Sequence, residues 1–232
     1  MLRHLMLSGG SDIRSYIIQL LLSLPIILLA LSLHETAHGY VAYKLGDPTA
    51  RNLGRLTLNP VKHLDPIGFL CMLLAGFGWA NPVPINSRNF KNPRRDIALT
   101  SIAGPVSNLI LAFIFVVIFR FSYEPIMMNM FNAQLTGNTF LADVLQYTYI
   151  FIYLAIQMNI TLAVFNLLPI PPLDGSKILY TFLPPKTYFK IAPYERYISL
   201  AFMLLLLTGF ISPLLSTVTE YIMNGMFFVV GL

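Results

Sequence analysis

The sequence predicts an all-α, polytopic membrane protein with about five to six membrane segments, one of them short and re-entrant-like. Small β-strand elements are expected near the cytoplasmic face. Three observations carry this reading. Of the 232 residues, 56% are hydrophobic and only 11% charged, against about 25% charged in an ordinary soluble domain; so few charges could not cover a buried core. The apolar residues gather in long runs, and about 20 residues of helix cross a bilayer core of ~30 Å. The 15 Lys and Arg residues sit mostly in short loops beside those runs, where they set membrane orientation. They form no stripe and no aromatic-interleaved patch, so the net charge of +5 is not read as a nucleic-acid footprint and no such partner is expected.

The first span covers residues 13–43. Arg3 and Arg14 precede an apolar run too long for a signal peptide, and no small-x-small cleavage site follows it, so the span is read as retained. Pro25 is expected to kink it, as membrane helices tolerate. Residues 44–66, "KLGDPTARNLGRLTLNPVKHLDP", are rich in turn punctuation, with strand character in 54–58. The apolar stretch 67–80 has 14 residues, short for a crossing and suited to a re-entrant segment. In 81–95 the prolines favour an extended backbone. Further spans are expected at 97–121, 140–168 and 198–211. The stretch 213–232, interrupted by Glu220, Asn224 and Gly225, reads equally as a sixth span or a surface helix. Cys71, the single cysteine, lies in an apolar run, which excludes an intrachain disulfide. No polar block is long enough to fold separately, so 1–232 reads as one membrane-embedded domain. Its core covers about 13–180, and C-terminal membrane segments follow over about 194–232.

Loop charge sets the sidedness. Lys44, Arg51, Arg55 and Lys62 precede segment 67–80, and Arg88, Lys91, Arg94 and Arg95 follow it. Loop 122–139 has no Lys or Arg, whereas 177–196 carries Lys177, Lys186, Lys190 and Arg196. The positive-inside rule therefore puts 122–139 outside and 169–196 in the cytoplasm. Arg3 and Arg14 argue weakly the other way. The end of the first span faces the cytoplasm.

That end reads "LSLHETAHG" (31–39). Ionisable side chains are costly in hydrocarbon and mark functional sites by default. His34 and His38 are i and i+4 on a helix, so both rings leave one face and can share a metal, while Glu35 lies beside that face. Two neutral imidazoles plus a glutamate at this spacing suit Zn²⁺ and a metal-activated water, with Glu35 handling the proton. The competing explanation is a pair of satisfied structural histidines with Glu35 salt-bridged to a loop cation; the membrane setting weighs against it. A catalytic zinc needs a third protein ligand and an open position. Asp174, in "NLLPIPPLDG" (166–175), falls on the same cytoplasmic side, after prolines that end a helix. Gly175 is expected to permit a turn there. Read alone, "PPLDG" is equally a plain loop turn; shared sidedness favours the ligand. His4, in a polar tail, and His63, in a turn region, compete poorly.

These motifs resemble the site-2 protease family of intramembrane zinc metalloproteases. "HETAH" matches its H-E-x-x-H in a membrane helix, and "NLLPIPPLDG" its N-x-x-P-x-x-P-x-D-G-like segment. "GDPTARNLGRLTLNPVKHLDPIG", "GWANPVPIN" and "AGPVSN" look like connecting segments of its short bacterial and archaeal branch. The likeness covers about residues 30–180. It implies that His34, His38 and Asp174 ligate one Zn²⁺ per chain and that Glu35 is the general base. It also implies that Asn166 holds substrate or stabilises the oxyanion; an interhelical hydrogen bond explains Asn166 equally well. Asn108 fits helix packing beside Ala103 and Gly104. Asn81 departs from the family, where lysine is expected. The length leaves no room for a PDZ-type or nucleotide-sensing domain, so regulation is expected from partners or from a first trimming of the substrate by another protease.

The implied function is hydrolysis of a peptide bond within or near the transmembrane segment of a membrane-protein substrate, in the lipid bilayer of a prokaryotic cell membrane. The site would open to the cytoplasm, with strand-like pieces 54–58 and 82–86 pairing with unwound substrate. The alternative is a non-proteolytic membrane metal-binding protein or metal transporter. Against it, His34, His38 and Asp174 are expected near one surface, with no polar path to the other.

Overall fold

The computed structural model describes residues 11–75, 78 and 80–232; Arg3 and His4 lie outside them. The chain forms two compact units, Met1–Gly104 and Pro105–Leu232, and the boundary falls inside one long helix.

In the first unit, helix α1 (Ser11–Lys44) runs through Pro25 for 34 residues, a length of about 51 Å. It ends before Gly46, whose φ of 109° is open to glycine at no steric cost. A four-residue helix α2 (Thr49–Asn52) and a 3₁₀ turn (Pro60–Lys62) follow. Helix α3 (Pro66–Ala75) has only ten residues, about 15 Å, too short to cross a bilayer.

The strand expectation for 54–58 and 82–86 is corrected. Among the described residues there is no strand, only an isolated antiparallel bridge between Leu64 and Ala80. The reason lies in where the backbone groups go. Pro82 and Pro84 have no N–H to give. Val83 N–H is donated to the Glu35 carboxylate and Asn86 N–H to that of Asp47. Arg55 N–H bonds Ala50 O and Thr57 N–H bonds Arg55 O, while Thr57 O takes the Thr36 hydroxyl and the His63 ring. Side chains and local turns use the groups that a ladder would need.

The second unit begins within helix α4 (Pro93–Leu135), of 43 residues, and continues into α5 (Thr139–Asn166). The expected outer loop 122–139 shrinks to 136–138, because 122–135 stays helical through Pro125. Short helices α6 (Asp174–Phe182) and α7 (Pro185–Ile191) lead to α8 (Glu195–Leu207) and α9 (Ser212–Val229). Val116 and Phe119 of α4, Ile152, Ile156 and Ile160 of α5, and Met223 of α9 form the core. Within it, Asn108 donates its amide to Asn159 Oδ1 at 3.2 Å, both fully buried.

Three helices are long and apolar enough to cross a membrane: Ile17–Lys44, Pro93–Leu135 and Thr139–Asn166. A fourth crossing is reached only if Lys186–Leu207 and Ser212–Val229, bent by 82°, count as one broken span. The expected five to six segments are therefore not found among the described residues. Segment 67–80 yields only α3, and the run 198–211 is interrupted where Gly209 takes φ 73°, a left-handed conformation that ends helices.

Candidate active site

The sequence-predicted residues divide between the units: His34, Glu35 and His38 in the first, Asn166 and Asp174 in the second. On α1 the i, i+4 spacing brings the two imidazoles together. Their centroids are 4.6 Å apart with planes at 86°, and the Nε2 atoms face each other at 3.0 Å. Both rings are buried, at 4% and 6% exposure.

His38 Nδ1 lies 2.7 Å from the carbonyl oxygen of Thr100 on α4. A carbonyl can only accept, so Nδ1 carries a proton, and in the neutral ring the lone pair sits on Nε2. That is the form in which imidazole ligates a cation, and such bonds orient liganding histidines. Two imidazole nitrogens converging at this distance, one with its tautomer fixed, suit a metal such as Zn²⁺.

One turn after Thr100, Gly104 lies against the same rings. A β-carbon there would fall 2.6 Å from His34 Nε2 and closer still to His38 Nε2. Thr100 and Gly104 thus present one face of α4 to the imidazoles. Sequence reasoning missed both. Thr100 acts through its main chain, which no residue type signals; Gly104 is visible in the sequence as a small helical residue, but that signal points equally to helix packing.

Glu35, 9% exposed, accepts Val83 N–H on Oε2 at 2.8 Å. Next to it, the Thr36 hydroxyl donates to Thr57 O at 2.7 Å. His63 Nε2 lies 2.7 Å from the same oxygen, and its ring is 1% exposed; this nitrogen is occupied as a donor. Asn81, the departure from the family pattern, donates its N–H to His63 O at 2.7 Å and accepts from Arg55 at 2.6 Å. Its role here is carried by backbone atoms, which any residue type supplies.

In the second unit, Asn166 is the last residue of α5, and its amide donates to Leu162 O on its own helix at 2.9 Å. Asp174 opens α6, where the helix dipole favours a carboxylate. It is 6% exposed and lies 3.0 Å from the half-exposed Lys177 ammonium. Gly175 does not have positive φ, so the expected reason for glycine is corrected. A β-carbon there would run into the carbonyl oxygens of Leu167 and Leu168. Glycine is needed for space.

The sequence pattern of peptidase family M50 matches residues 22–208. "Putative zinc metalloprotease YwhC" of Bacillus subtilis is 45% identical over 201 residues, covering 86% of this chain and 84% of that protein. "Putative zinc metalloprotease Rip2" of Mycobacterium tuberculosis is 33% identical over 208 residues, 87% of this chain and 68% of that protein. The protein of the same name from Mycolicibacterium smegmatis is 30% identical over 186 residues, 78% and 64% of the respective chains. No solved structure matches significantly. The family match includes both the paired histidines with Glu35 and the Asn166–Asp174 stretch, and the chain belongs to peptidase family M50, the site-2 protease family.

Proposed function

We propose that this chain is an intramembrane zinc metalloprotease that hydrolyses a peptide bond within or near the transmembrane segment of a membrane-protein substrate. Its being a metalloprotease that uses zinc follows from the family and from relatives named for that activity. One observation carries the rest: two buried imidazoles face each other on a helix apolar enough to cross a membrane. Ligands on such a helix can serve only peptide bonds brought to them within the bilayer.

In this reading His34, His38 and Asp174 hold the metal, leaving a position for water and substrate. Zinc, when bound, supplies Lewis acidity that polarises the scissile carbonyl and acidifies water. The remaining work falls to side chains. Glu35 is oriented by Val83 N–H through Oε2. It takes the proton of the attacking water and passes it to the leaving amine. Asn166 turns its amide toward the developing oxyanion, exchanging the Leu162 carbonyl for it. Helical peptide bonds are shielded, so the substrate span must unwind before attack. Loop charge favours the cytoplasmic side for that event.

The test is to reconstitute purified protein in lipid nanodiscs with a single-span substrate and compare wild type with Glu35→Gln. Wild type should cut within or beside the span and the variant should not. Equal cutting by both would sink the mechanism, and cutting only in soluble parts of the substrate would remove its intramembrane element.

A further inference from the structure

We propose that Gly104 is a determinant of metal binding: the side chain it lacks is the clearance that lets the Nε2 atoms of His34 and His38 converge on an ion. This rests on reading those histidines as metal ligands.

Two observations support it. The first is what surrounds the missing side chain. The three nearest atoms to a β-carbon at 104 are all imidazole atoms, namely His38 Nε2, His34 Cε1 and His34 Nε2. Gly39 on α1 shows the ordinary case, where a β-carbon would meet apolar side-chain atoms of Leu56, Val83 and Ala50. At Gly39 glycine serves packing, whereas at Gly104 it borders the coordinating nitrogens themselves.

The second observation is that the rings have little freedom to yield. Both are buried, and His38 is tied through Nδ1 to Thr100 O, one turn before Gly104 on the same helix. A methyl group at 104 must therefore push the Nε2 atoms away or separate α1 from α4. Zinc–imidazole bonds are about 2.0–2.1 Å long, with tolerance of roughly 0.2 Å. A shift that packing would absorb is thus large for coordination. If Gly104 only allowed two membrane helices to approach, its replacement would lower stability and spare metal affinity.

The experiment strips the purified full-length protein of metal and titrates Zn²⁺ against a competing chelator. Co²⁺ is used separately to read ligand geometry from its d–d spectrum. Gly104→Ala should bind zinc about 10–100-fold more weakly, the range seen when groups supporting metal ligands are altered, and its Co²⁺ spectrum should change. Gly39→Ala should keep wild-type affinity. Wild-type affinity and spectrum in Gly104→Ala, or equal weakening in Gly39→Ala, would overturn the proposal. If His34→Ala binds zinc as wild type does, the functional reading itself fails, whatever Gly104 does. Should Gly104→Ala not fold, removing both rings in His34→Ala/His38→Ala/Gly104→Ala tests the same clash. Recovered folding supports the proposal, and continued failure to fold overturns it.

Discussion

Glu35 Oε2 accepts the backbone N–H of Val83 at 2.8 Å, both residues buried and 48 positions apart in sequence. The bond gives the glutamate a structural duty beside its proposed chemical one, and substitutions can separate the two. Glu35→Gln keeps an oxygen for Val83 N–H but cannot act as a base at neutral pH. Cleavage should fall by about 10²–10⁴-fold, the usual worth of a positioned acid–base group, with thermal stability close to wild type. Glu35→Ala should lose the same activity and also leave a buried N–H without its acceptor, costing about 1–3 kcal/mol. Thermal unfolding of the two variants in detergent decides the matter; equal stability would mean that the Val83 bond contributes nothing.

Asp174 and Lys177 form an ion pair in which only the lysine reaches solvent. If Asp174 is the third ligand, Asp174→Asn should weaken zinc binding strongly, because the amide is a far poorer donor to a cation than the carboxylate. Lys177→Met removes the exposed partner of a pair worth at most about 1 kcal/mol, and zinc binding should be nearly retained. Competitive zinc titration of both variants checks the order. A larger loss in Lys177→Met would argue that the pair, and not ligation, is the role of Asp174.

Gly175 makes a separate, purely steric prediction. A methyl group there would overlap the carbonyl oxygens of Leu167 and Leu168, rigid main-chain atoms at the end of α5. Gly175→Ala should destabilise the protein by about 1–3 kcal/mol, the usual cost of overpacking. Thermal unfolding should show the loss even in metal-free protein; unchanged stability would mean that the turn relaxes freely.

Much of the candidate site was legible because its chemistry is local. The i, i+4 spacing of His34 and His38 fixes one face of a helix, and an ionisable residue in an apolar run stands out. What stayed hidden acts through the backbone or through space. Thr100 contributes a carbonyl, Val83 an N–H, and Gly104 an absence; none has a residue-type signal. The fold divides the same way. The apolar runs of α1, α4 and α5 were readable from length. The strand character of 54–58 misled because Thr57 O is taken by Thr36 and His63, partners distant or side-chain based. The span expected at 198–211 overlooked Gly209, whose positive φ interrupts the helix.

Asp47, just past the end of α1, is fully buried and ties that end to residues 86–89. It accepts Asn86 N–H at 2.7 Å, the Asn89 amide at 2.7 Å, Thr49 N–H at 3.1 Å and the Thr49 hydroxyl. Burial alone would raise its carboxyl, but these hydrogen bonds together outweigh it and hold the group below the ordinary aspartate value. A carboxyl lowered in the folded state contributes stability that is fully present above its unfolded pKa of about 3.9. That contribution is lost as pH falls through the still lower folded value. Asp47→Asn should therefore be less stable than wild type by a constant margin between about pH 5 and 7, and the margin should shrink below about pH 4. Paired unfolding measurements across that range cancel the titration of carboxyls common to both proteins. A margin that stays constant or widens on acidification would show that the charge of Asp47 does not hold this junction together.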